Sequence, residues 1–167
     1  MMGRVVSLTE AQRVRQRLRA QGKIAVFTNG IFDLLHVGHV RYLSSARELG
    51  HALFVGLNND ASARRLKGPD RPWLPEGERA EVLCALRAIN YVILFGESTA
   101  EHVVAVLQPD VYVKGGDYAA GDQEQSKPLP EARIVEDYGG RVVILPYTAG
   151  LSTTELIARI RRGCKGP

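Results

Sequence analysis

Residues 28–39 read Thr-Asn-Gly-Ile-Phe-Asp-Leu-Leu-His-Val-Gly-His, and this stretch restricts the fold more than any other. A continuous apolar run, Ile24-Ala25-Val26-Phe27, leads into it and reads as a buried strand. The segment behind it has helical periodicity, with Val40, Leu43 and Ala46 on one stripe up to the stop at Gly50. Strand, Asn-Gly turn and helix therefore follow in immediate succession, with the helix predicted over 39–49. His36 and His39, three apart, share a face of the first turn. A helix N-terminus offers unpaired N–H groups and the positive end of the dipole, and Gly38 lets an anion approach the backbone. The combination predicts a phosphate-handling turn.

The rest of the chain repeats the alternation. Ser7-Leu8-Thr9-Glu10 has capping-box spacing and opens a helix to about Ala20. Strands are predicted at 52–57, 91–95, 111–113 and 141–145. Asn58-Asn59-Asp60 caps a short helix ending near Lys67-Gly68, and Glu76 to Arg87 forms another after a loop bearing Pro69, Pro72 and Pro75. Ser98-Thr99-Ala100-Glu101 reads as a further capping box, Pro130 as the first turn of a helix, and Ser152-Thr153-Thr154-Glu155 as the cap of the last one. This pattern predicts an α/β fold: a doubly wound, parallel, five-stranded sheet with helices on both faces. With 167 residues and no internal boundary, it is expected to be a single domain: an N-terminal helix in 1–22, a core over 23–162 and a tail at 163–167. In such sheets ligands gather beyond the carboxyl ends of the strands where the winding reverses. Both 28–39 and Lys114 to Tyr118 lie at such ends, and the polar stretch that continues to Lys127 reads as a loop.

Composition narrows the function classes. No apolar run reaches the roughly 20 residues of a membrane span, and the N-terminus lacks a secretory pattern, so a cytoplasmic protein is expected. Cys84 and Cys164 form no metal-like or redox spacing. The net charge of +4 suits an anionic partner. The arginines at 13, 15, 17 and 19 in one helix, and at 159, 161 and 162 at the end of another, nevertheless read as solvated helix faces, and no aromatic residues interleave them as nucleic-acid binding would require. G-x-x-x-x-G-K-[ST] is missing, as is G-x-G-x-x-G after the first strand, which disfavours P-loop and dinucleotide sites. His51 and His102 read as structural. Trp73, in Arg-Pro-Trp-Leu-Pro, suits either packing of the loop or stacking on a base.

The motif Asn-Gly-x-Phe-Asp-x-x-His-x-Gly-His, with Arg65-Leu66-Lys67-Gly68, Arg71-Pro72, Val113 to Tyr118 and Ser152-Thr153-Thr154, resembles the HxGH nucleotidyltransferases. Within that superfamily the likeness is strongest to the D-glycero-β-D-manno-heptose 1-phosphate adenylyltransferase family, over about Val26 to Ile157. The resemblance implies a Rossmann-like fold and transfer of a nucleotidyl group from a nucleoside triphosphate, ATP, to a sugar phosphate. It implies catalytic roles for His36, His39 and Lys67. It further implies nucleotide binding by Thr28, Asn29, Gly30, Phe32, Gly38, Arg79, Lys114, Gly115, Gly116, Ser152, Thr153 and Thr154. The acceptor is expected at Asp33, Arg71, Asp117 and Tyr118. For Asp33 the residues leave open an ordering role for the His36 loop or recruitment of metal, and for Asp117 contact with ribose, acceptor or metal. Mg²⁺ is expected to arrive with ATP, with few or no direct protein ligands. A homodimer is expected, and a sugar kinase supplying the acceptor is expected on a separate chain. Tyr147 stands where some cytidylyltransferases carry Arg before Gly-x-Ser-Thr-Thr, which favours the sugar-phosphate type over the glycerol-phosphate type. The alternatives are a cytidylyltransferase for an alcohol phosphate and a non-catalytic nucleotide- or nucleic-acid-binding module.

Overall fold

The computed structural model describes residues 2–116, 129–146 and 153–163, with only the backbone of Thr154 and Glu155. The strands are β1 (Arg4–Val5), β2 (Ala25–Gly30), β3 (Ala52–Asn58), β4 (Tyr91–Phe95), β5 (Val111–Gly115) and β6 (Arg141–Leu145). The helices are α1 (Leu8–Ala20), α2 (Val37–Glu48), α3 (Asp60–Lys67), α4 (Glu76–Ala85), α5 (Glu101–Leu107), α6 (Pro130–Asp137) and α7 (Thr153–Gly163). All six strands are parallel, in the order β1-β4-β3-β2-β5-β6. The sixth strand, β1, is a correction to the expected five. Two residues without an apolar run carry no periodic signal, and Arg4–Val5 is a strand because it lies along β4.

Alternation along each strand builds two cores. Ala25, Phe27, Phe54 and Tyr112 point toward α1, α5 and α6, where Ala11, Val14, Val103, Val104 and Val135 are buried. Val26, Leu53, Val55, Val111 and Val113 point the other way, onto Leu43 and Ala46 of α2 and Ala80, Leu83 and Cys84 of α4. Strands buried on both faces read as continuous apolar runs, which is why their positions were legible. The chain winds from β2 through β3 to β4, then returns to place β5 on the far side of β2. The switch point therefore lies between β2 and β5, and it brings the ends of the two segments predicted to meet there side by side.

Three local expectations are corrected. Val40 is 41% exposed, so only Leu43 and Ala46 of its stripe are buried. The capping box at Ser98 does not form: Ala100 is the N-cap, Thr99 Oγ1 donates to Glu101, and the Ala100 N–H donates to buried Glu131 Oε1 of α6 at 2.8 Å. Arg15 is not on a solvated face. It is 5% exposed, donates through Nε to Gln108 O and through Nη2 to Asp110 Oδ1 at 2.7 Å, and so ties α1 to the entry of β5. The expected boxes at Ser7 and Asn59 do form caps. Ser152, Asp117, Tyr118, Tyr147 and the polar stretch from 117 to Lys127 lie outside the described residues, so the expectations placed on them stay as stated.

Candidate active site

The β2–α2 turn forms its cap from its own histidines. The helix begins at Val37, two residues earlier than predicted, with His36 as N-cap. An N-cap normally supplies a side-chain oxygen to the first-turn N–H groups. Here His36 Nδ1 accepts the Gly38 N–H at 3.1 Å, and His39 Nδ1 lies 3.4 Å from the His36 N–H. A ring nitrogen that accepts is unprotonated, so each neutral imidazole carries its proton on Nε2. The cap thus sets the tautomer of both rings, with the N–H of each at the opposite edge.

The rings lie with centres 4.0 Å apart. Phe32, held at φ +47°, meets His39 edge-on at 5.6 Å and shields it. Burial first, and the neighbouring His36 second, push the His39 pKa down from 6.5 to about 4. His39 is therefore a neutral donor at physiological pH.

Two tyrosines absent from the predicted site hold its frame. Tyr42 Oη is 2.7 Å from Thr28 Oγ1 and donates to Val113 O at 3.0 Å, joining α2 to β2 and β5. Thr28, expected at the nucleotide, is fully buried with its hydroxyl engaged there. Tyr112 donates to Asn29 Oδ1 at 2.8 Å, so the donor end of that side chain is its amide N–H₂. The spacing of Tyr42 three residues after His39 was the available signal, because it places both on one helix face. Gly56 of β3 lies beside Asn29, and a Cβ there would meet the Phe27 ring at 2.8 Å. Lys114 is buried near the Tyr112 ring, Gly115 ends β5 and exposed Gly116 follows it.

Arg79, expected at the nucleotide, lies among protein acceptors. It is 1% exposed and donates to Leu74 O, Ile31 O and Asn58 O as well as to Asp60 Oδ1. A guanidinium so committed to protein acceptors positions the turn at Ile31 and the 69–75 loop instead of reaching a ligand. Asp33 is likewise turned inward. Its Oδ1 accepts the N–H groups of Trp73 and Leu74 at 2.9 and 3.1 Å. Arg71 Nε stands 2.9 Å from Oδ2 as an ion pair, without the alignment of a hydrogen bond. Asp33 thus anchors the 71–74 loop. Lys67 is exposed at the end of α3, and Thr153 opens α7.

The sequence matches the cytidylyltransferase-like family over residues 27–159. The chain belongs to that family. This nucleotidyltransferase is 52% identical over 142 residues to the bifunctional protein HldE of Syntrophotalea carbinolica, covering 85% of this chain and 28% of that protein. It is 50% identical over 145 residues to HldE of Geotalea uraniireducens, again with 28% of the relative covered. The chain thus spans well under a third of the length of these curated relatives. Among solved structures, the lipopolysaccharide core biosynthesis protein of Thermoplasma volcanium is 29% identical, with a TM-score of 0.59 over 76% of this chain and 98% of that one. Pantoate-beta-alanine ligase of Francisella tularensis shares the fold, with a TM-score of 0.63 over 96% of this chain and 77% of that one, at 12% identity. Among the described residues, no helix of this cytidylyltransferase-like chain is long and apolar enough to cross a membrane.

Proposed function

We propose that the chain transfers the adenylyl group of ATP to a sugar 1-phosphate, heptose 1-phosphate, giving an ADP-sugar and pyrophosphate. The observation that carries this reading is the pair of adjacent neutral imidazoles at the N-terminus of α2, each with its proton on Nε2. The HldE relatives and the lipopolysaccharide core biosynthesis neighbour support the choice of sugar.

The chemistry asks the protein for position and charge. An anionic phosphate oxygen of the acceptor attacks the α-phosphorus of ATP, the bond to the β-phosphate oxygen breaks, and pyrophosphate leaves with the electron pair. The nucleophile is already ionised, so no general base is needed. His36 and His39 donate from Nε2 to the α-phosphoryl oxygens as charge grows there, in a site whose donors need no reorganisation. The Asn29 amide N–H₂, Lys67 and the first turn of α7 with Thr153 are the further donors for the triphosphate. A Mg²⁺ ion would arrive on the phosphate oxygens of ATP, with few or no direct protein ligands. That ion supplies neutralisation of the triphosphate. Because the acceptor already carries a phosphate, a sugar-phosphorylating activity must precede this step.

The test is incubation with each of the four nucleoside triphosphates against heptose 1-phosphate and glycerol phosphate, read by pyrophosphate release and product mass. ADP-heptose is the expected product. Turnover of CTP with glycerol phosphate and none of ATP would replace this reading with the cytidylyltransferase one.

A further inference from the structure

Trp73 is 44% exposed, although a large indole normally gains by burial. One of its faces is covered by the Arg71 guanidinium, 3.8 Å from the ring centre. Its remaining surface helps line an open pocket of about 350 Å³ between the 71–74 loop and α7, where Arg71, Ile157, Ala158 and Arg161 are the other lining residues among those described. That volume falls at the lower end of small-ligand sites, roughly 300–1,000 Å³. The loop wall is preorganised, because buried Asp33 holds the Trp73 and Leu74 N–H groups and pairs with Arg71. Arg71 is therefore largely compensated. Arg161, on the opposite wall, is exposed and has no carboxylate partner among the described residues. The pocket thus presents an aromatic plane with apolar side chains, and a net positive charge from α7.

That chemistry favours a ligand carrying both an apolar ring face and an anionic group over a ligand with either alone. We infer that the pocket lined by Trp73 and Arg161 is the acceptor subsite, taking the C–H face of the sugar ring against the indole and an acceptor phosphate oxygen at Arg161. The inference rests on the sugar-phosphate reading above. It adds Trp73 and Arg161 as the residues that set acceptor preference. Asp33 acts through them as a positioning residue, since it fixes the loop that carries the indole.

Trp73 is the sole tryptophan of the chain, so its fluorescence reports on this pocket directly. Titration of the intact chain with heptose 1-phosphate is expected to change the emission saturably. In Arg161→Gln the midpoint should weaken by about tenfold, as for loss of a charge-assisted contact to phosphate. The acceptor KM should rise by a similar factor in both Arg161→Gln and Trp73→Ala, with the KM for ATP within about twofold. Inorganic phosphate, which has the charge without the ring, should bind at least about tenfold more weakly than heptose 1-phosphate. Emission that ignores heptose 1-phosphate, an unchanged midpoint in Arg161→Gln, or equal binding of inorganic phosphate would each overturn the assignment. A saturable response without ADP-heptose formation would keep the subsite and remove the proposed reaction. Turnover without a response would do the reverse.

Discussion

Arg79 Nη2 lies 2.7 Å from Asp60 Oδ1, an ion pair in which the arginine side chain is wholly buried. The same guanidinium holds carbonyls from the β2–α2 turn, the end of β3 and the 69–75 loop. It is the peg around which three site-bearing segments are arranged. Removing one partner of a buried, hydrogen-bonded pair costs about 3–5 kcal/mol. Arg79→Ala should therefore lose stability of that order in urea denaturation. A phosphate ligand would behave otherwise, with stability unchanged and only the KM for ATP raised.

The Nε2 donors of His36 and His39 should matter most at the transition state. His39→Ala is expected to lower kcat by about 10²-fold or more, as for loss of an electrostatic donor, while the KM for ATP changes less. Steady-state kinetics at saturating acceptor decides this. An unchanged kcat would remove His39 from the chemistry.

The depressed pKa of His39 carries a sign. In the folded chain it titrates near 4, against 6.5 for the ordinary group. Between those values the unfolded chain binds more protons than the folded one, so acid favours unfolding. The contribution of His39 to stability is complete above about pH 6.5, declines as pH falls and is lost below about 4. Thermal melts of wild type and His39→Gln should diverge in acid sensitivity across this window, wild type being the more sensitive. In the same range kcat should show no limb near pH 6.5 assignable to His39.

Arg15 and Asp110 form a second link, buried on the arginine side only, far from the histidines in function. Asp110 Oδ2 also accepts the Ala25 N–H at 2.7 Å, at the entry of β2. Asp110→Ala leaves the buried guanidinium with only Gln108 O of these two partners and is expected to cost about 1–3 kcal/mol. Adding Arg15→Met should recover part of that loss, because the unpaired charge goes with it. The double-mutant cycle by urea denaturation measures the coupling, and purely additive effects would refute it.

The sequence alone determined the alternation of strand and helix, the parallel sheet, the caps at Ser7 and Asn59 and the place of the histidine turn. Those features are local or periodic: apolar runs for strands buried on both faces, capping residues at fixed offsets, and a motif within a dozen positions. Tertiary structure decided whatever depends on partners distant in the chain. Arg15 looked like one more surface arginine until Asp110 came beside it, 95 positions away. Arg79 and Asp33 have the residue types of ligand-binding groups, yet Arg79 is engaged by three carbonyls and Asp60, and Asp33 by two loop N–H groups and Arg71. Glu131, not Ser98, caps α5 because α6 lies against its N-terminus. A charged side chain announces that it needs a partner, and only packing chooses between a protein group and a ligand.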